Sequence, residues 1–334
     1  MDEIRKKRVA PMMERRFGMF IHWGLYAIPA RASRSEWIRS VDKVSNEEYQ
    51  LYFDIFNPTD YDPKKWAKLA KEAGMKYAVL TAKHHDGFAL YDSKVSDYNI
   101  VKQTPFKRDV LKELADACKK FGMKLGIYYS QDLDWYERHG GGYTMPPVDC
   151  AGSVWSNEWD FGSKDKNFDI YFNEKCLPQI EELFTNYGDF VVAWFDIPFT
   201  LSKEQSKKIY DTIKKHQPNC LINTRLGNGK YDYVSFGDNE IPLSKVELNK
   251  VNSSDNDING IKYSKNALYE VCQTLNQSWG YTKYPVWKDI SLLKKNKEQC
   301  KKLNINFLVN IGPDGDGTFP NDAKKILTML MKDV

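Results

Sequence analysis

The segment FVVAWFDIP, residues 190–198, is an apolar run that finishes on an acid. Phe190, Val191, Val192, Ala193 and Trp194 read as a buried strand, and Asp196 falls at or just past its end, ahead of Pro198. A carboxylate placed there either caps a turn or acts as a catalytic acid at the open end of a barrel. Other apolar runs also end on polar groups. The first finishes at His22-Trp23, the second at His84-His85-Asp86 and the third at Tyr128, Tyr129 and Ser130. Later runs finish at Arg225 and Asp238. If these ends share one face, the sequence gathers carboxylates, imidazoles and a guanidinium in one place.

Each feature also has a plainer reading. A lone His22 at a strand end is more readily a packing residue. The pair in KHHDGF, residues 83–88, is rarer and suggests a metal site, a turn, or donors and acceptors for substrate hydroxyls. Adjacent strand residues point to opposite faces, and no further His/Cys cluster completes a ligand set, so hydroxyl recognition is favoured and no metal or cofactor is expected. Residues 131–167 form a long aromatic stretch of the kind that is usually functional. Its Trp135, Tyr136, Trp155 and Trp159 either stack on a sugar or leaving group or simply hold the loop down.

The positioning elements are legible as alternation. Strand-like runs at 17–24, 76–85, 124–130, 190–197, 220–225, 233–238, 269–275 and 305–312 are interleaved with helical patterns. The helices fall at 63–74, 109–122, 173–188, 202–217 and 321–333, and Pro178 marks a bend or late start in the third. Continuous apolar strands alternating with helices imply a parallel sheet covered on both faces. About eight such units suit an α/β (β/α)₈ TIM-like barrel. A doubly wound sheet is the alternative, but FIHWGLYAIPA is not the Gly-rich phosphate turn expected after its first strand. No linker divides the chain, so one catalytic domain over 1–334 is expected, with the barrel core at about 16–333.

Composition narrows the classes. The chain has 334 residues, of which 42% are hydrophobic and 28% charged, as in ordinary globular proteins. Its 49 basic and 45 acidic residues are mixed along the chain, which argues against nucleic acid as a partner. The basic run LLKKNKEQCKK, 292–302, reads as a solvated helix face. Aromatics at 14% exceed ordinary usage and hint at a cleft for sugars or flat apolar ligands. Six scattered Cys without a CxxC read as reduced thiols. No secretory leader or run of about 18 apolar residues is present, so cytoplasmic action without a membrane span is expected.

Six motifs in order, RRFGMFIHWGLYAIPA…SEW, AKHHDGFALYDS, GIYYSQDLDW, AWFDIP, YEVCQTLNQSWGY and NFLVNIGPDGDGTFP, span residues 15–320. Together they resemble the α-L-fucosidases of glycoside hydrolase family 29. The resemblance implies a (β/α)₈-like barrel that hydrolyses terminal α-L-fucose with retention by double displacement. It implies Asp196, in Trp194-Phe195-Asp196, as the nucleophile. His22, Glu36, Trp37, His84 and His85 carry over as fucose-binding positions, as does Tyr128 or Tyr129. Arg225 matches the family's arginine beside the nucleophile, with Trp194 next to it.

Retention needs a second carboxyl about 5–5.5 Å from the first. The family's "TPE" is missing from FGDNEIP, residues 236–242, so Asp238 is the expected acid/base and Glu240 the alternative. Glu270 and Glu36 are further candidates, and the resemblance gives Glu270 a supporting role near the site. The chain also resembles small, barrel-only bacterial members lacking a C-terminal β-sandwich, some of which prefer fucose α-1,6-linked to N-acetylglucosamine. The expected partner is a small fucosylated glycan, with self-association into a homo-oligomer a further expectation. A fucose-binding barrel without useful catalysis and a metal-dependent barrel hydrolase using His84, His85 and Asp86 are the competing functions.

Overall fold

The computed structural model describes residues 16–145, 152–244 and 268–331. Eight parallel strands build one sheet: β1 (Phe17–Ile21), β2 (Tyr77–Lys83), β3 (Lys124–Tyr129), β4 (Phe190–Phe195), β5 (Leu221–Ile222), β6 (Val234–Ser235), β7 (Tyr269–Thr274) and β8 (Ile305–Ile311). Their order, β5-β4-β3-β2-β1-β8-β7-β6, places β1 beside both β2 and β8. A parallel bridge from Asn223 to Tyr233 links the two remaining edges. The sheet therefore curls into a (β/α)₈ barrel, not an open doubly wound sheet.

Helices α1 (Pro63–Glu72), α2 (Val110–Phe121), α3 (Leu177–Asn186), α4 (Lys203–His216), α5 (Ile290–Leu303) and α6 (Asn321–Met331) alternate with most strands. Local chemistry sets their ends. Asp109 caps α2 by accepting from the Lys112 N–H, and Gly122 closes it in the left-handed conformation. Ser202 and Gln205 form a reciprocal capping box at the start of α4. The expected helix around 173–188 begins earlier, with a π-helical stretch at Phe172–Cys176 just before Pro178. Pro178 has no N–H to give the preceding turn, so the helix is irregular where that bond is missing.

Strand alternation divides the core. Phe17, Met19 and Ile21 face the helices, whereas Phe20 faces the barrel interior with Val79, Tyr128, Trp194 and Leu308. Gly18 lacks a side chain because the Tyr77 ring fills that space: a Cβ would meet it at 2.5 Å. The expected strands at 220–225 and 233–238 shrink to two residues each. After Ile222 the chain enters a tight turn at Thr224–Leu226, which swings Arg225 inward. Cys118, Cys176, Cys220, Cys272 and Cys300 are buried free thiols, while Cys150 lies outside the described residues.

Candidate active site

The C-terminal strand ends open onto a cavity of about 330 Å³. This is the small end of the ligand-cavity range and suits one sugar ring. Phe20, His22, Glu36, Trp37, His84, Tyr128, Trp194, Asp196, Arg225 and Asp238 line it. These residues come from seven separate stretches of chain, and only barrel closure brings them together.

Asp196 sits one residue beyond β4. Its Oδ2 accepts from the Tyr128 hydroxyl at 3.0 Å, and its Oδ1 accepts from Arg225 Nη1 at 2.8 Å. His85 Nε2 stands 3.6 Å from Oδ2. The Arg225 guanidinium lies over the Trp194 ring at 4.8 Å and reaches on to Asp238, with Nη2 donating to Asp238 Oδ1 at 2.9 Å. One guanidinium thus grips both carboxylates. Asp238 Oδ2 accepts from Trp279 Nε1 at 3.1 Å. The two acids differ in access, with side chains 13% exposed for Asp196 and 51% for Asp238.

The imidazoles are held neutral. Burial pushes His22 down to about 4, although its Nδ1 pairs with Asn310 Oδ1 at 2.7 Å. Burial, helped by the neighbouring His85, His22 and Lys83, pushes His84 well below the ordinary histidine range. His85 is lowered likewise, first by burial and then by Lys83, His22 and Arg225. A neutral imidazole offers one donor and one acceptor, which suits sugar hydroxyls. His84 lines the cavity, while its Nδ1 is enclosed and has no hydrogen-bond partner among the described residues. Glu36 accepts from the Ser278 hydroxyl at 3.2 Å and the Gly280 N–H at 2.9 Å, and burial raises its carboxyl above the usual range.

Several expected residues lie elsewhere. Tyr129 is excluded from the cavity because it follows Tyr128 on the strand and faces outward, donating to Gln179 Oε1 at 2.9 Å. Glu240 is exposed and turns back to accept the Gly237 N–H at 3.1 Å. Glu270 lies inside the barrel beneath the cavity, where Tyr77, Trp194 and Tyr233 donate to it at 2.6, 2.9 and 3.3 Å. It therefore supports Trp194 without lining the cavity. Asp86 turns away to take the Tyr49 hydroxyl and the Phe88 N–H, so His84, His85 and Asp86 do not converge as a metal set. Of the loop aromatics only Trp155 lines the cavity. Trp135 packs behind Trp37 and His85, Tyr136 stacks on Tyr98, and Trp159 donates to the Val44 carbonyl.

Arg34, Gln277 and Trp279 also line the cavity and were not singled out from the sequence. The Trp-Gly step of QSWGY, just past a strand, was the available signal for Trp279. Asn310, a polar residue at an inward position of β8, was the signal for the partner of His22.

The sequence model of the α-L-fucosidase family matches residues 1–332. Unliganded α-L-fucosidase AlfC from Lactobacillus casei superposes with a TM-score of 0.89 at 47% identity, covering 98% of this chain and 97% of that one. AlfC carrying a single Asp→Ala substitution, in complex with Fucα(1,6)GlcNAc, gives 0.87 at 45% identity, with 97% of each chain covered. The α-L-fucosidase of Dictyostelium discoideum is 25% identical over 92% of this chain and 65% of its own length. This chain thus spans somewhat under two thirds of that relative. Whole-chain family match, barrel and site geometry agree: the chain belongs to the α-L-fucosidase family.

Proposed function

We propose that this protein is a retaining, exo-acting α-L-fucosidase with Asp196 as nucleophile and Asp238 as acid/base. The observation that carries the reading is the shared guanidinium: Arg225 holds Asp196 and Asp238 side by side at a cavity the size of one sugar. Retention uses closely spaced carboxyls, whereas inversion leaves room for a water between them. Asp196 is the more enclosed and is fixed by Tyr128 and Arg225, as a nucleophile requires. Asp238 is the more open and stands at the mouth, where a leaving group departs.

In the first step an Asp196 oxygen attacks the anomeric carbon while the glycosidic C–O bond breaks, and Asp238 gives its proton to the departing oxygen. The acid role requires Asp238 to be protonated, so the Arg225–Asp238 contact opens as substrate seats. In the second step water attacks the same carbon, its proton passes to Asp238, and the bond to Asp196 breaks. The neutral His22 and His84, with Glu36, take the fucose hydroxyls. Preference for fucose α-1,6-linked to N-acetylglucosamine fits the AlfC complex.

The test is proton NMR of fresh hydrolysate from 4-nitrophenyl α-L-fucopyranoside. Retention gives α-L-fucose as the first-formed anomer, and the β anomer appearing first contradicts it. Fucose binding by calorimetry with no turnover of any fucoside would instead favour a binding-only barrel. Comparing α-1,6- with α-1,2- and α-1,3-linked disaccharides tests the linkage preference.

A further inference from the structure

The end of β4 that carries Asp196 has little strand to lean on at its β5 side. The two strands pair only at Val192 with Leu221 and at Ala193 with Ile222. Beyond that point side-chain amides continue the ladder. Asn223 Oδ1 accepts the Phe195 N–H at 2.8 Å, and its Nδ2 donates to the Phe195 carbonyl at 2.9 Å. One residue further on, Gln131 takes over from the loop after β3. Its Oε1 accepts the Asp196 N–H at 3.0 Å, and its Nε2 donates to the Arg225 carbonyl at 3.0 Å.

The chain then turns sharply. Ile197 has φ of +49°, a left-handed conformation uncommon for a β-branched residue, and Pro198 contributes no N–H. Asp132, next to Gln131, accepts from the N–H groups of Thr200 and Leu201 at 2.5 and 2.9 Å. Gln131 and Asp132, both fully buried, hold the two ends of this strained turn.

We propose that Gln131 is a positioning residue that fixes Asp196 and Arg225 relative to each other, one side-chain amide tying the backbone of the carboxylate to the backbone of its guanidinium. The proposal rests on Asp196 being the nucleophile. A planar amide supplies the acceptor and the donor at fixed separation, which no hydrocarbon or hydroxyl side chain of that length does. A carboxylate there would lack the donor that the Arg225 carbonyl needs. Because reacting groups must be held within a fraction of an ångström, loosening this link slows attack without emptying the sugar pocket.

The test uses Gln131→Met, which keeps length and removes both bonds, with 2-deoxy-2-fluoro-α-L-fucosyl fluoride as the trapping reagent. The expected result is a labelling rate constant lower by about 10- to 100-fold. Label per chain should stay at the wild-type value, with the adduct on Asp196. For 4-nitrophenyl α-L-fucopyranoside, kcat should fall by a similar factor with KM nearly unchanged. Gln179→Met, which removes a buried amide on the outward side of β3, should lower stability and leave the labelling rate constant unchanged. Wild-type labelling kinetics in Gln131→Met, or reduced label per chain at an unchanged rate constant, would overturn the proposal. If Gln131→Met does not fold, Gln131→Asn keeps the polarity but shortens the reach, and a wild-type rate in it also overturns the proposal. A wild-type adduct on a carboxylate other than Asp196 overturns the nucleophile reading and this inference with it, whereas a normal adduct with an unaffected Gln131→Met overturns the inference alone.

Discussion

Asp196 and Asp238 share a guanidinium, yet their substitutions should leave different signatures. Asp196→Ala or Asp196→Asn should lower turnover of 4-nitrophenyl α-L-fucopyranoside by more than about 10³-fold, the scale of losing a residue that acts as part of a catalytic unit. Azide should restore turnover to Asp196→Gly by entering the vacated space. Asp238→Ala should cost substrates with poor leaving groups about 10²- to 10⁴-fold, the contribution of an acid, and cost activated aryl fucosides far less. A leaving-group series reads that difference. If Glu240→Ala gives the steep dependence instead, Asp238 is not the acid. Much of this site was legible because chemistry sat at strand ends: His22, His84, Tyr128, Asp196, Arg225 and Asp238 all reach the cavity. Tyr129 and Glu240 could not be excluded without knowing inward from outward. Gln131 and Asn310 lie within the quoted motifs, but their roles were not legible because they act on backbone or on another side chain.

At the level of elements, periodicity and caps located the strands and helices because local signals coincided with burial. Asp109 and Gly122 bracket α2 as their types suggest. The runs at 220–225 and 233–238 did hold β5 and β6, but their two-residue extent was not legible, because the apolar residues run on into turns that place Arg225 and Asp238. The loop after β3 needed the structure as well. Its Asp134 is fully buried between Lys83 at 2.9 Å and Lys175 at 3.1 Å, and Lys175 also reaches Glu137 at 2.9 Å. The next residue, Trp135, donates its N–H to the His85 carbonyl at 2.8 Å, so this charged cluster braces the histidine from behind. Asp134→Ala leaves Lys83, fully buried, without its carboxylate. Breaking such a buried pair should cost about 3–5 kcal/mol, read from urea unfolding.

Across the whole molecule, buried titratable groups oppose one another with pH. His22, at about 4, and the buried His84 and His85 have folded values below the ordinary 6.5. Their neutral burial is fully stabilising above that ordinary value and is lost as pH falls towards 4. Burial raises Asp86 to about 6, Asp132 to about 7 and Glu270 to about 7. Their contribution is complete below the ordinary carboxyl values and is lost as pH rises through 6 to 7. Glu270→Gln keeps the shape beneath Trp194 and removes one such titration. Relative to the wild type it should gain stability between pH 4.5 and 8, on the order of 3 kcal/mol for a shift of this size. Urea midpoints at the two pH values check the sign, and a difference that is flat or reversed contradicts it.

The pairing of Asp196 with Asp238 across one sugar is tested most directly by a crystal structure with α-L-fucose bound in the cavity. The account predicts the anomeric carbon within about 3.5 Å of an Asp196 oxygen, in attack geometry. It also predicts Asp238 within about 3.2 Å of the anomeric oxygen, in reach for proton transfer. Fucose seated with Glu36 or another carboxylate at that oxygen, or with the anomeric carbon turned away from Asp196, would contradict it.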